Sequence, residues 1–329
     1  MAEADNRHSI VDPFGRTVDY LRISVTDFCN MRCAYCMGPE GVAPLDHRDI
    51  LRFEEIRDVV RHAVACGVRK VRLTGGEPLV RNGVTDLVRM IAEVPGVEKL
   101  ALSTNGTLLI ELARPLRDAG LDSVNIGIDS LQPDVYERIT RRDLCHRAVA
   151  GIKAALQAGF DPIKLNVVVM RNVNDDEIPR FIEFAREHNV EVRFIEYMPH
   201  QQDTDNGADL FVSAKEILER VRAHVEIVPV QSMPGSGPAN MYVVGGSEMR
   251  IGVIPSVSSP ACHKCNRLRL QSDGQLVACR YEGGTVDLRT LIRSNASPET
   301  IRAAFQRAAN FKPRVHSAAR TTHMSRLGG

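Results

Sequence analysis

Six short runs rich in β-branched residues, at 20–26, 68–74, 98–103, 123–129, 163–169 and 190–196, recur with helix-patterned segments between them. Consecutive parallel strands need a crossover, usually a helix, so this alternation restricts residues up to about 200 to βαβ units on a parallel sheet. The segment at 53–66 shows such a crossover: Ile56, Val59, Val60 and Ala63 fall on one helical face, and Gly67 stands at a C-cap position. Six units can close partly, so the expected fold is α/β, an incomplete (β/α)6 barrel of TIM type over residues 14–200. Residues 201–209 and 233–238 read as loops, and 201–329 read as a smaller C-terminal module, β-rich at first, with helices around 286–293 and 298–309.

The 42 Lys and Arg against 41 Asp and Glu give a net charge of +1, which argues against a chain-wide basic surface for nucleic acid or anionic lipid. The N-terminus has no apolar signal region, and the longest apolar runs, such as 167–170, are far too short to span a bilayer. A cytoplasmic protein with no nucleic-acid or membrane partner is expected. In that setting two tight cysteine triplets, Cys29, Cys33 and Cys36, and Cys262, Cys265 and Cys279, read as metal ligands rather than disulfides. Cys66 and Cys145 fall in helix-patterned segments and read as small buried thiols.

Sites in parallel barrels gather at the carboxyl ends of the strands. The unusual residues follow that rule: Cys29 to Cys36 after the first strand, Gly75-Gly76-Glu77-Pro78 after the second, Ser103-Thr104-Asn105-Gly106 after the third, Asp129 at the end of the fourth, Glu196 and Met198 after the sixth. Three soft thiolates within eight residues suit an iron–sulfur cube with one iron left open. Spacing alone leaves open a structural zinc completed by His47. The C-x3-C-x2-C motif with Tyr35 before its last cysteine, together with Gly75-Gly76-Glu77-Pro78, resembles the radical S-adenosylmethionine (SAM) superfamily. The resemblance implies that the open iron chelates SAM and that one electron cleaves it to methionine and a 5′-deoxyadenosyl radical. Gly75 and Gly76 suit a close approach of backbone to a ligand, and Glu77 suits a cofactor ammonium.

In the second triplet, 268–271 and 275–279 read as a hairpin about Asp273-Gly274, which sets Cys279 opposite Leu268 or Arg267. That is two or three positions from Cys265, roughly 7 to 10 Å. One cluster could take all three cysteines; a Cys3His zinc site using His263 is the alternative. Arg267 and Arg269 share a strand face beside it.

Taken together, Phe14-Gly15-Arg16, the run 20–27, Cys29-Asn30, 72–78, Asn174-Asp175-Asp176, 193–196, 262–269 and the terminal Gly328-Gly329 resemble the GTP 3′,8-cyclase family of molybdenum cofactor biosynthesis, from about Phe14 to the last residue. The resemblance implies two 4Fe-4S clusters in one cavity. Cys29, Cys33 and Cys36 hold the one that binds SAM, with Tyr35, Gly76 and Met198 contacting the cofactor. Cys262, Cys265 and Cys279 hold the one whose open iron meets guanine. Arg22, Arg72, Ser103, Lys164, Arg267 and Arg269 stand at GTP-contacting positions, with Arg193 a weaker candidate, and planar guanidiniums suit a triphosphate. Gly328 and Gly329 form a tail reaching toward the arginines.

The implied reaction, of lyase type, removes hydrogen from C3′ of GTP, joins C3′ to C8 and yields 3′,8-cyclo-7,8-dihydro-GTP. It needs a reducing electron donor, feeds a pyranopterin-forming enzyme and is compatible with a homodimer. The chain departs from the family at Phe28, usually arginine, Gly38, usually proline, and Gly127, usually a serine touching SAM; Asp129 lies two residues on, on the same strand face. Two rivals remain at this level: a peptide-modifying radical SAM enzyme with an auxiliary cluster, and a zinc-stabilised binding protein.

Overall fold

Each of the six runs forms a strand: β1 (Tyr20–Ser24), β2 (Lys70–Thr74), β3 (Lys99–Thr104), β4 (Ser123–Gly127), β5 (Lys164–Val169) and β6 (Glu191–Glu196). Helices α1 (Phe53–Ala65), α2 (Val84–Ala92), α3 (Leu109–Asp118), α4 (Pro133–Thr140), α5 (Cys145–Gln157) and α6 (Ile178–His188) connect them. The computed structural model describes residues 9–43, 45–199, 209–231, 237–281 and 284–316. Gly328, Gly329 and most of the two expected loops lie outside the described residues.

The six strands pair in chain order, all parallel. Period-2 alternation then sorts the side chains. Leu21, Ile23, Val71, Leu73, Leu100, Leu102, Val124, Ile126, Leu165, Val167, Val192 and Phe194 join Ile56, Val59, Val60 and Ala63 of α1 and the apolar faces of the other helices in one large core. The opposite face carries Tyr20, Arg22, Lys70, Arg72, Ser103, Asn125, Lys164, Asn166 and Arg193 into a cavity. Burial of the first face holds the second in register, because a one-residue slip would drive every arginine into the apolar core.

The C-terminal residues extend this sheet at both edges. After α7 (Ala214–Arg222), strands β7 (Ile227–Val230), β8 (Asn240–Val244) and β9 (Arg250–Ile254) form antiparallel pairs, and β9 then runs parallel to β6. β10 (Arg267–Leu270), β11 (Gln275–Val277) and β12 (Thr285–Asp287) are also antiparallel to one another, while β10 pairs parallel to β1. The result is one twelve-stranded ladder, β12-β11-β10-β1-β2-β3-β4-β5-β6-β9-β8-β7, with eight parallel strands at its centre instead of the six read from the alternation. The extra two are short pieces of hairpins, whose local pattern says nothing about a partner far away in sequence.

Helices α8 (Leu288–Arg293) and α9 (Pro298–Asn310) close the C-terminal side. Asp287 and Ser297 cap them by accepting from the Thr290 and Thr300 amides. Arg293 of α8 ties back to α1 through Glu55, at 2.8 Å, and Glu55 also caps α1 by accepting from the Arg52 amide at 2.7 Å. No helix among the described residues is long and apolar enough to cross a membrane.

Candidate active site

The register brings the cations together. Arg269 pairs with Arg22, and Arg22 with Arg72, so three guanidiniums stand in one row across β10, β1 and β2. Arg267, Tyr20 and Lys70 form the neighbouring row. Both rows face a cavity of about 380 Å³, within the range of small-molecule sites. Arg16, Lys164, Arg193, Arg280 and Lys312 complete the cationic wall, against Glu77 and Asp129 as its carboxylates among the described residues.

Such crowding shows in the protonation equilibria. Burial, with neighbouring Arg72, Arg280 and Arg267, brings Arg22 down to about 9, and Arg269 is held well below the ordinary arginine range by burial beside Arg280, Arg22 and Arg267. Burial and Arg193 lower Lys164 to about 8. Burial opposes ionisation of the Tyr20 phenol, yet Arg72, Arg22 and Lys70 outweigh it and bring Tyr20 down to about 7. Arg72 Nε donates to the Tyr20 hydroxyl at 2.7 Å, and its Nη1 donates to the Leu102 carbonyl at 3.0 Å and Ser103 Oγ at 3.3 Å. The Lys70 ammonium lies 4.8 Å from the Tyr20 ring centroid. A multiply charged anion entering the cavity would relieve this repulsion at every arginine at once.

The two cysteine triplets stand at opposite ends of the β1/β10 strand pair. Cys265 lies two residues before Arg267, which is level with Tyr20, whereas Cys29 follows the other end of β1, beyond Ser24. The intervening strand is roughly 16 Å long at about 3.3 Å per residue, and the arginine row lies along it. Extending the β10/β11 register from Arg269 and Val277 sets Cys279 level with Arg267, one of the two positions that the hairpin reading gives.

All six cysteines line the cavity as thiols outside any disulfide. Burial, then the charges of Asp129, Cys36 and Cys29, raise Cys33 well above the usual thiol range, and burial, Cys265 and Cys279 raise Cys262. Each triplet is therefore a set of mutually interacting thiols, the donor set that an iron–sulfur cluster takes. As the side chains stand, no three His, Cys, Asp or Glu groups among the described residues form a closed metal-binding set. The fit rests on donor chemistry and the shared wall. His47 and His263, the fourth ligands of the zinc alternatives, are exposed. Cys66 and Cys145 are buried in the apolar core.

At the first triplet, Tyr35 donates to Asp129 Oδ2 at 2.7 Å, and Asp129 Oδ1 accepts from the Val168 amide at 2.8 Å. Both Asp129 oxygens are thus engaged in tying the cysteine loop to β4 and β5; burial raises its pKa to about 6. Glu77 accepts from the Leu79 amide, Thr104 Oγ1 and the Asn105 amide at 3.0, 2.7 and 2.6 Å. Three of its roughly four acceptor positions fix the loops after β2 and β3, which leaves about one for a cofactor ammonium. At Gly76, also on the cavity wall, a Cβ would meet the Phe28 carbonyl oxygen at 2.2 Å, so its bareness serves the packing of this loop against residues 26–28. Met198 lies on the wall near Tyr281 and Arg280. Arg193 pairs with Glu191, two residues before it on β6. Gly127 faces the cavity, Phe28 is 53% exposed, and Gly38 has nothing near its missing side chain.

Several wall residues escape a reading of side-chain spacing, among them Arg16, Lys70, Asn125, Asn166, Arg280 and Lys312. Arg16 Nη1 donates to the Cys262 carbonyl at 2.6 Å and Nη2 to the Pro313 carbonyl at 2.8 Å. Lys312 Nζ lies 3.3 Å from Cys265 Sγ. Asn125 and Asn166 each present a buried Oδ1 with no partner among the described residues. The Phe14-Gly15-Arg16 match was a signal for Arg16; nothing comparable marked the others.

Residues 23–185 match the Radical SAM superfamily, and residues 190–318 match Molybdenum Cofactor Synthesis C. GTP 3′,8-cyclases from Moorella thermoacetica, Pelotomaculum thermopropionicum and Geobacter sulfurreducens are 43%, 42% and 42% identical, each alignment covering 97% of this chain and 99% of the relative. Streptococcus suis SuiB bound to S-adenosylmethionine superposes with a TM-score of 0.62 at 13% identity, over 88% of this chain and 68% of that one, a likeness of fold alone. On these matches the chain belongs to the radical SAM superfamily and, within it, to the GTP 3′,8-cyclase family.

Proposed function

We propose that this chain catalyses the radical cyclisation of GTP to 3′,8-cyclo-7,8-dihydro-GTP with SAM and an electron donor, a lyase reaction at the first step of molybdenum cofactor biosynthesis. The observation that carries the reading is a single cavity with a thiol triplet at each end and a row of three arginines between them. Cys29, Cys33 and Cys36 would hold the SAM-binding cluster, and Cys262, Cys265 and Cys279 the substrate-binding one. When bound, the first supplies the electron that cleaves SAM and the second an open iron for the base.

The remaining work falls to the protein. Arg22, Arg72 and Arg269 offer fixed donors to a triphosphate, with Ser103, Lys164 and Arg267 around them. The Tyr20 hydroxyl and the Leu102 carbonyl hold Arg72 in place, so little side-chain freedom is lost on binding. Tyr35, Gly76 and Met198 are assigned to SAM. Enclosure of the reacting centre excludes solvent that would quench a radical, and holding C3′ near the attacking carbon replaces any need for a side-chain nucleophile. Residues 14–200 are read as the radical SAM partial barrel with the SAM-binding cluster and 201–329 as the C-terminal module with the second cluster. A reducing cytoplasm suits the clusters, and a pyranopterin-forming enzyme would consume the product.

Anaerobic incubation of the full chain with SAM, GTP and a low-potential reductant tests the reading. Expected are about eight irons per chain as two cubes and 5′-deoxyadenosine formed together with cyclised GTP. Deoxyadenosine release that ignores GTP, or zinc in place of iron and sulfide, overturns it.

A further inference from the structure

Two cations of the wall, Arg267 and Lys312, bond to the Cys265 sulfur, and Lys312 is the one that comes from outside the cysteine segment. Lys312 follows α9, whose last turn holds it through a Lys312 amide to Ala309 carbonyl bond of 3.0 Å. Its side chain folds inward until the residue is 4% exposed; Nζ donates to the Arg267 carbonyl at 2.8 Å and to Cys265 Sγ at 3.3 Å. Arg16 fastens the same segment from the other side, bridging the Cys262 and Pro313 carbonyls. Beyond them the His316 ring stacks on Tyr281, with centroids 3.7 Å apart and planes within 6°. Residues 312–316 thus lie across the second triplet as a strap.

A buried ammonium is costly unless a negative charge faces it. The carboxylates of the cavity wall, Glu77 and Asp129, belong to the loops of the first triplet, and Arg267 is a second cation that shares the Cys265 sulfur with Lys312. The group facing Lys312 that can carry the balancing charge is the Cys265 sulfur. Hydrogen bonds and positive charge at a ligating sulfur favour the more negative, reduced state of a cluster, and such outer partners set its potential.

We propose that Lys312 is a positioning residue of the second cluster, donating a charged hydrogen bond to the Cys265 sulfur and raising the cluster's reduction potential. The inference rests on reading Cys262, Cys265 and Cys279 as cluster ligands. It is tested in the full chain carrying Cys29→Ala, Cys33→Ala and Cys36→Ala, so that only the second cluster titrates. Lys312→Met and Lys312→Arg are compared in that parent by EPR-monitored redox titration, with iron content and melting temperature alongside.

At the parent's midpoint potential, Lys312→Met should show the oxidised-to-reduced ratio raised about tenfold, a fall of about 59 mV for a one-electron couple. Lys312→Arg, which keeps the charge, should recover most of that shift. Loss of iron from the Met variant but not the Arg variant also supports a requirement for charge. An unchanged midpoint in Lys312→Met with iron retained overturns the proposal, as does loss of iron from both variants, which would assign the site to the shape of lysine. Failure of the underlying reading is separate and visible beforehand, because the parent itself would then bind no iron.

Discussion

Two thiol triplets with the same ligand count differ in the charges that face them, carboxylates at the first and cations around Cys265 at the second. At the first, burial raises Cys29 to about 11 and holds Cys33 well above the usual thiol range, with Glu77 and Asp129 adding to the penalty on a thiolate. At the second, burial alone would raise Cys265, but Arg267 and Lys312 bring it down to about 6. Buried thiols beside carboxylates gain their thiolates chiefly by binding metal, whereas at the second end Cys265 is prepared for negative charge by its cationic neighbours, although burial still raises Cys262. That difference matches the division of labour proposed above: the first end meets a sulfonium cofactor, and the second must tolerate a polyanion within the same cavity.

Removing one ligand from each end gives the largest effects and tests whether the ends are separable. Cys33→Ala should abolish deoxyadenosine formation and lower iron from about eight to about four per chain. Cys265→Ala should lose the same amount of iron and all cyclised GTP, yet keep SAM binding at the first end. Loss of both clusters from either variant would show that the triplets assemble as one unit and would collapse the comparison. Arg269→Ala comes next: removing one charged donor to phosphate costs about 1.5–3 kcal/mol, so GTP affinity should fall by roughly ten- to a hundredfold while iron and SAM binding stay constant. Unchanged affinity by calorimetry would take Arg269 out of the site.

The cationic surroundings also predict a pH signature. Tyr20 ionises at about 7 rather than its usual 10.0 because Arg72, Arg22 and Lys70 overcome its burial. A depressed acid stabilises the fold in its ionised form. The contribution is fully present above the unfolded-state value and is lost as pH falls through about 7. Phenolate absorbance of the metal-free chain should therefore show one tyrosine titrating near neutrality, absent in Tyr20→Phe. GTP should suppress that absorbance at about pH 8 by neutralising the arginines. No phenolate below about pH 9 would mean that the row is less crowded than its geometry indicates.

How far these features are legible in the sequence depends on the range of the contacts that make them. All six strands read from the sequence lie within their β-branched runs apart from Thr104 at the end of β3, because period and branching are local. The triplets are legible because their ligands are close in sequence. Arg267 and Arg269 announce themselves by spacing, but their alignment with Arg22 and Arg72 needs β10 to lie beside β1, a pairing across some 240 positions that no local pattern encodes. Lys312 and the strap depend on α9 docking against Ile10–Val11, the first strand of the hairpin with Thr17–Val18, which is still more distant in sequence. Glu77 and Asp129 were found by position, yet what they do follows from loop packing, visible only once three strand ends converge.

The smallest expected effect separates two glycines at the first end. A Cβ at Gly76 would overlap the Phe28 carbonyl oxygen at 2.2 Å, backbone that cannot swing aside, so Gly76→Ala should displace the loop after β2 and cost stability and SAM binding together. At Gly127 the nearest atom to a Cβ is the Thr104 carbonyl oxygen at 3.9 Å, with the cavity in front of it. Gly127→Ser should therefore leave the melting curve within about 0.5 kcal/mol of the parent. Asp129 already accepts from Tyr35 and the Val168 amide, one bond at each oxygen, and as a carboxylate it offers no donor of its own. A serine would then supply a new donor to SAM, and one net hydrogen bond of about 0.5–1.5 kcal/mol should tighten SAM binding by roughly two- to tenfold, with GTP affinity unmoved. If GTP affinity changed as well, the two ends of the cavity would be coupled through β4, and the contrast between them would hold for their electrostatics but not for their ligands.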